Sequence, residues 1–589
     1  MTNKWIFSLV ISAVLVIVIA LLLHRQESPS PVETEPVTEE TKGPAIRSAT
    51  PDRETAGQYE KMEWILELSA EYDDPYDPEE IDLRAEFIAP SGKIWPINGF
   101  FDGSKWKLRF AADETGEWAY RFLVTDMNGT AETEPAVFHV ESSAHHGWLQ
   151  VSKSNQRTLS YHDGIPFYGV GIALPWNITE SKLDRIAEHG GNLITYWNGN
   201  YDTAGIGGGK NQLESVQSGI GKYDVMKGYR IDQLVDWFEQ RDLLMNFVIW
   251  PHDSLADKID WPSRWHDNAY SLLGEAVDFY SDDEMWHYQE RLYRYIIARW
   301  GYSRSIGIWD LICEVNGTDG WLLGDQEAAN AWVSKVHRYF KDNDPFQRPT
   351  KGSMAGGIDG YWDHAYRTLD IADRENYFDL HYGAFAEDIR NRWANYEKPL
   401  FIGESGNVTD ARIYHNALWV SLANGLASSP IWWDESKMND EMFKHMKVFA
   451  EFVAGIDISE KREPVKLTAP YIRQQLDAEM PLSKQGDLAD WLLPDWAEAN
   501  KDGDGKIFAI EQGNEGTVSS RMRFASGGFA QGVIEHAIQT SDWSIYDEFQ
   551  VELFVDHDGA APLLLYCSLT GVGPKAEMRA ISRYLQASG

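Results

Sequence analysis

Cysteine is almost missing from this chain: 589 residues carry two, Cys313 and Cys567. They fall in segments of different residue pattern, so no disulfide framework holds the fold, and an oxidising compartment is neither required nor excluded. Positive charge is scarce as well, with 53 Lys and Arg against 91 Asp and Glu and a formal net charge of -38. Such a surface repels polyanions, which excludes nucleic acid as a partner and disfavours anionic lipid headgroups. No glycine-rich phosphate loop follows any early strand, which argues against a nucleotide-binding, doubly wound sheet. Histidines are present but scattered. His189, His252 and His381 show none of the close spacings that a metal-dependent hydrolase uses, so no catalytic metal is expected.

Long apolar runs are missing too, with one exception. Trp5 to Leu23 is uninterrupted hydrophobic sequence between Lys4 and His24-Arg25, about the length that spans a bilayer as a helix. A cleaved signal would have a shorter apolar region and a small-x-small site, which is missing here. Residues 1–24 therefore read as an uncleaved anchor, with a cleaved signal as the alternative, and the bulk of the chain as exported. Residues 25–57 are rich in Pro, Ser, Thr and Glu and read as a disordered acidic linker.

A chain of this length exceeds what one core accommodates, and its patterning divides the rest into three parts. Residues 58–145 alternate apolar and polar between Gly, Asp and Asn turns, as in a small β-sandwich. Residues 146–460 alternate short apolar runs with amphipathic helices. The candidate strands are Pro166–Ile172, Gly191–Trp197, Leu243–Trp250, Ser305–Ile312, Arg348–Met354, Tyr377–Tyr382, Pro399–Glu404 and Ser429–Trp433. Eight strands separated by helices predict a (β/α)8 TIM barrel. Residues 466–589 return to strand-like alternation and read as a second sandwich, either carbohydrate-binding or purely structural.

What is abundant is tryptophan, 25 residues, within 13% aromatics. Flat apolar faces with a polar edge suit sugar rings, although large β cores also use them. A barrel carries its chemistry at the carboxyl ends of its strands. Those positions hold Trp250 and His252 after strand three, Glu314 after strand four, His381 and Tyr382 on strand six, Glu404 after strand seven, and Trp432 and Trp433 on strand eight. Two glutamates thus face each other across the predicted mouth.

The stretches "GIWDLICEVNGTDGW" around Glu314, "KPLFIGESG" around Glu404 and "DLHYG" around His381 resemble the clan A retaining glycoside hydrolases, which are (β/α)8 barrels. Ahead of them, Phe101-Asp102-Gly103, Trp106, Arg109-Phe110 and Gly116-Glu117-Trp118 resemble a small immunoglobulin-like domain of unassigned function that precedes such barrels, as a spacer or a lid. The resemblance implies that Glu404 is the nucleophile and Glu314 the acid and then the base. It departs from the family at Cys313, where Asn usually precedes the acid/base and holds the sugar's 2-hydroxyl; Asn316 and Asn198 are the candidates to replace that contact. Tyr382 or His381 is expected to orient the nucleophile, and Trp197, Trp250, His252 and one of Trp432 and Trp433 to line subsites.

Chemistry supports a carboxyl pair independently of the likeness. Glycosidic cleavage needs one group to donate a proton while another stays anionic and attacks. At about 5 Å, one carboxylate raises the pKa of the other and keeps an acid protonated near neutrality. No organic cofactor is implied. Asn500 to Glu511 has the spacing of a calcium loop, with Asn500, Asp502, Asp504 and Glu511 as ligands, yet the following residues alternate like a strand, so calcium would be structural. The sequence therefore predicts an exported retaining glycosidase acting on an oligo- or polysaccharide and attached to the membrane by its N-terminal helix. The alternative is a catalytically silent carbohydrate-binding surface protein on the same scaffold.

Overall fold

The computed structural model describes residues 43–199, 212–259, 262–356, 361–377 and 382–461, together with strand backbones at 202–203 and 209–210 and six strand segments between 491 and 585. The first part is built from two antiparallel sheets. One runs in the order Ala45–Pro51, Lys61–Ser69, Trp106–Ala111, Phe100–Phe101. The other runs Thr55–Gly57, Ala136–Glu141, Gly116–Asp126, Ile81–Ile88, Ile94–Asn98, with Gly129–Glu132 completing a hairpin on Gly116–Asp126 and Thr55–Gly57 joined in parallel. Alternation places Met62, Trp64 and Leu66 of one sheet and Trp118, Tyr120, Phe122 and Val124 of the other on buried faces. These faces meet, with the Phe87 and Phe110 rings stacked at 4.2 Å and Trp64 5.1 Å from Phe87.

Part of the expected linker belongs to this unit. Ala45–Pro51 pairs with Lys61–Ser69, and Thr55–Gly57 with Ala136–Glu141. The stretch lacks large apolar residues because it sits at sheet edges, where backbone pairing does most of the holding. The two-sheet unit is fastened to the helices that follow. Arg109 donates to Asp232 at 2.7 Å and to Glu63 at 2.7 Å, while Arg299 donates to Asp232 at 2.7 Å. Arg291 bridges to Asp74 and Asp77. Trp148 packs 4.6 Å from Phe346 and donates to the Tyr302 carbonyl. Tyr302 and Phe346 precede strands four and five, so these contacts lie on the flank and toward the amino-terminal end of the sheet.

The second part carries a parallel, barrel-like sheet in the order Thr350–Lys351, Ile306–Cys313, Leu244–Pro251, Leu193–Trp197, Gly171–Ala173, Trp432–Trp433, Ser405–Gly406. Ala372–Asp373 and Leu400–Phe401 form a further parallel pair. Ile371 N–H donates to the Thr350 carbonyl at 3.1 Å and Glu375 N–H to the Met354 carbonyl at 3.1 Å, which stitches that pair to the fifth strand. Amphipathic helices such as Val225–Glu239, Asp283–Trp300 and Gln326–Asn343 fall between the strands. Inside, Lys351 forms ion pairs with both Asp310 and Asp373 and so ties strands four, five and six together. Asp310, hydrogen-bonded by Asn246, is the buried acid of this core, pushed up to about 6 by burial.

Two strand positions differ from expectation. Pro166–Phe167 belongs to a small antiparallel sheet with Leu149–Val151 and Leu159–Tyr161, and the parallel sheet begins at Gly171. Strand six is Ala372–Asp373, while Tyr382 starts the helix Tyr382–Asn395. His381, Trp5 to Leu23, and Asn500, Asp502 and Asp504 lie outside the described residues. Among the described residues no helix is long and apolar enough to cross a membrane. In the last part, Phe508–Glu511 pairs antiparallel with Val518–Arg521, and Leu563–Thr570 with Met578–Leu585.

Candidate active site

The two predicted glutamates reach one buried cluster at the carboxyl ends of the strands. After Cys313 the chain turns sharply, and Glu314 adopts a left-handed backbone at φ 55 and ψ 60 before a single turn at Val315–Gly317. A non-glycine residue there stores strain on the order of 1 kcal/mol or more. The surroundings hold it in place. Its N–H donates to Ser353 Oγ at 2.9 Å, and its Oε2 lies 2.9 Å from His252 Nδ1. Glu404 lies between Leu400–Phe401 and Ser405–Gly406, and its carbonyl accepts from Asn376 N–H at 2.8 Å. Tyr377 Oη–H donates to Glu404 Oε2 at 2.5 Å, and Cys313 Sγ lies 3.5 Å from Oε1.

A third carboxyl joins them. Glu375 follows strand six; its Oε1 accepts from Ser353 Oγ at 2.6 Å and lies 3.4 Å from Cys313 Sγ, and its carboxyl interacts with that of Glu314. Donor atoms of Cys313, Glu375 and Glu404 lie within 4.8 Å of one another, as do those of His252, Cys313 and Glu314. Both sets are compact enough for a cation. Burial and the carboxylates around it push the Cys313 thiol well up, however, which disfavours the thiolate a soft metal would need.

These groups set one another's charge. Burial would neutralise Glu314, but His252 and the hydrogen bond from Glu375 outweigh it and hold Glu314 below the usual carboxylate range. Burial alone would lower His252, and Glu314 reverses that. Burial, then the charges of Glu314 and Glu404, push Glu375 well up. Glu404 is also pushed well up, by burial and by Glu314, against the hydrogen bonds from Tyr377 and Cys313. The expectation placed the resting proton on Glu314. An imidazole and a third carboxyl, neither foreseen as its partners, both favour the ionised Glu314.

Aromatic rings wall the cluster. Trp433 lies 5.3 Å from Trp197 and 5.7 Å from Trp176, and Trp197 meets the edge of His252 at 5.7 Å. Of the strand-eight pair, Trp433 faces this wall while Trp432 packs on Tyr414 and donates to the Val408 carbonyl. Trp250 departs from expectation: its ring packs on Tyr270 and Phe279 and donates to Tyr293 Oη, so it belongs to the helical layer. Asn198 accepts from Leu213 N–H and Asn316 from Ala355 N–H at 2.7 Å, which commits both carbonyl oxygens to holding loops. The tyrosine bonded to Glu404 is Tyr377, five residues before the expected Tyr382. Ser353, Glu375, Tyr377 and Trp176 were not anticipated. Glu375 and Tyr377 were hidden because Ala372–Asp373 is too short and too flanked by charge to read as a strand.

A family model described as a domain of unknown function, DUF5060, matches residues 55–125. No curated protein matches the chain. Among solved structures, a candidate glycoside hydrolase from Bacteroides vulgatus ATCC 8482 is 15% identical, with 68% of this chain and 79% of that one covered and a TM-score of 0.51. An endo-1,4-beta-mannanase from Rhizomucor miehei is 14% identical, covering 53% of this chain and 100% of that one at a TM-score of 0.42. An endo-beta-1,4-mannanase from Thermotoga petrophila is 15% identical, covering 50% and 78% at a TM-score of 0.37. The last two likenesses are too loose to carry an argument. The resemblance to clan A glycoside hydrolases that the strand-end motifs carry thus has a structural counterpart, and at these identities what is shared is the fold.

Proposed function

We propose that the protein is a retaining glycoside hydrolase built on a (β/α)8 barrel, with Glu404 as nucleophile and Glu314 as the group that delivers the proton to the leaving oxygen. The observation that supports this most is the convergence of Glu314 and Glu404 on the same Cys313 sulfur, within a buried cluster walled by Trp176, Trp197 and Trp433. Tyr377 and Cys313 offer two donors to Glu404, which aims its carboxylate and favours the charged form against burial. His252 orients Glu314. In the first step Glu404 attacks the anomeric carbon, the bond to the leaving oxygen breaks, and that oxygen takes a proton. In the second, water gives a proton back, attacks the same carbon and frees Glu404. One Trp face stacks on a sugar ring. The protein is exported and tethered by Trp5 to Leu23, and its substrate is an oligo- or polysaccharide.

The test is a reducing-sugar screen over a broad glycan panel with residues 43–589. Hydrolysis by wild type, its loss in Glu404→Ala and its partial return with azide support the reading. Sugar binding without turnover of any glycan rejects it in favour of a silent carbohydrate-binding protein.

A further inference from the structure

Glu375 has no part in the two-glutamate scheme, yet its environment is built around a proton. Its Oε1 accepts from Ser353 Oγ at 2.6 Å and faces Cys313 Sγ at 3.4 Å. The Ser353 hydroxyl is oriented, because its own oxygen accepts Glu314 N–H at 2.9 Å and its hydrogen is left for Glu375. The other oxygen, Oε2, is buried, and among the described residues no N–H, O–H or S–H donor is directed at it. The Glu375 carboxyl nonetheless interacts with that of Glu314: both converge on Cys313, and Ser353 joins Glu375 Oε1 to Glu314 N–H. Two carboxylates are acceptors only, so a bond between them requires a proton, and Oε2 is where Glu375 has room for it. Among the described residues, the charged or titratable groups around the cluster are His252 on Glu314 with Asp253 beside it, Cys313 between the carboxyls, Tyr377 on Glu404, and Lys351 held by Asp310 and Asp373.

We propose that Glu375 is a positioning residue that shares one proton with Glu314, so that this carboxyl pair, and not Glu314 alone, is the acid/base of the reaction. This rests on the reading of Glu404 as nucleophile. The charge then balances. Before attack, Glu404 is anionic and the pair holds one proton. As the C1–O bond breaks, the leaving oxygen takes that proton, Glu404 becomes a neutral ester and the pair becomes doubly ionised. Water then returns a proton to the pair as its oxygen attacks C1 and Glu404 leaves as carboxylate. The three carboxyls carry the same total charge at each stage. Esterifying Glu404 removes the repulsion that had kept a proton on the pair.

Two arms test it. Infrared difference spectra of the unliganded protein at pH 7, wild type against Glu375→Gln, are expected to show loss of a neutral-carboxyl C=O band. Loss of a carboxylate band instead overturns the proposal. On a glycan found by the screen, Glu375→Gln is expected to lose about a hundredfold in kcat and to change the alkaline limb of its pH profile. With a glycosyl fluoride, whose leaving group needs no proton, Glu375→Gln is expected to load Glu404 at near wild-type rate in a pre-steady-state burst and then to turn over slowly, because the second step still needs the pair as base. Unchanged rate and pH profile on the glycan overturn the proposal. If the wild type cleaves nothing while the neutral band is lost as expected, the hydrolase reading fails and the shared proton stands. Should Glu375→Gln not fold, Ser353→Ala serves instead. It removes the Oε1 donor and is expected to carry the neutral band to higher pH, and an unmoved band overturns the proposal.

Discussion

At the residue scale, the site depends on charge imposed by neighbours. As the proposed nucleophile Glu404 must be ionised to attack, yet burial and Glu314 push it up. Its protonated form therefore persists above the usual carboxylate range, and kcat/KM is expected to rise with pH through that higher region. Tyr377→Phe removes the 2.5 Å donor that favours the charged form. We expect it to lower kcat/KM by roughly 10- to 100-fold, as for loss of a hydrogen bond to a charged group, and to move the acidic limb further toward alkaline pH. An unmoved limb would mean that Tyr377 does not act on Glu404. A second buried acid makes a separate pH prediction. Glu214, beneath Arg291 and bonded by Gly221 N–H, is pushed up to about 8, chiefly by burial. A raised carboxyl stabilises the fold fully at acid pH and loses that contribution as pH rises through about 8. Glu214→Gln is expected to flatten the decline of Tm between pH 5 and 8, read by calorimetry, and an unchanged slope would refute this.

At the scale of elements, the ends of strands four and seven were legible because each closes a continuous apolar run with a glutamate beside glycine or asparagine. Strand six was not. Ile371 and Ala372 are buried, but Asp370, Asp373 and Arg374 flank them, and position 373 is an acid that pairs with Lys351 inside the sheet. Local hydrophobicity cannot see an ion pair made across strands, so the reading slid to the more apolar Tyr377–Tyr382 and took Tyr382 for Tyr377. Trp250 was misread for a related reason. Strand-end position says which residues are near the mouth, but not that Tyr293 on Asp283–Trp300 offers an oxygen to the indole N–H on the helical side. The joint between the first two parts was equally invisible. Asp232 receives Arg109, Arg299 and the Trp300 indole at 2.7 Å each. Asp232→Ala would leave two buried guanidinium groups short of their counter-charge, and is expected to cost about 3–5 kcal/mol in denaturant unfolding. A loss below 1 kcal/mol would show that the joint holds through its aromatic contacts instead.

For the whole molecule, a formal charge of -38 is spread over a chain whose interior already holds several carboxyls. Self-repulsion of that size opposes compactness and is screened by salt. Tm is therefore expected to rise between 10 mM and 500 mM sodium chloride, and a fall would mean that the surface ion pairs outweigh the repulsion. The same charge agrees with a neutral glycan partner better than with a polyanion. In the proposed reaction Glu404 forms a bond to sugar while the Glu314 side of the cluster handles the proton. The most direct measurement is intact-mass and peptide mapping after incubation with a slow fluorinated glycosyl donor matched to the glycan that the screen identifies. The account predicts one glycosyl adduct, on the peptide containing Glu404 and absent from Glu404→Gln. An adduct on Glu314, or turnover with inverted anomeric configuration and no adduct, would contradict it.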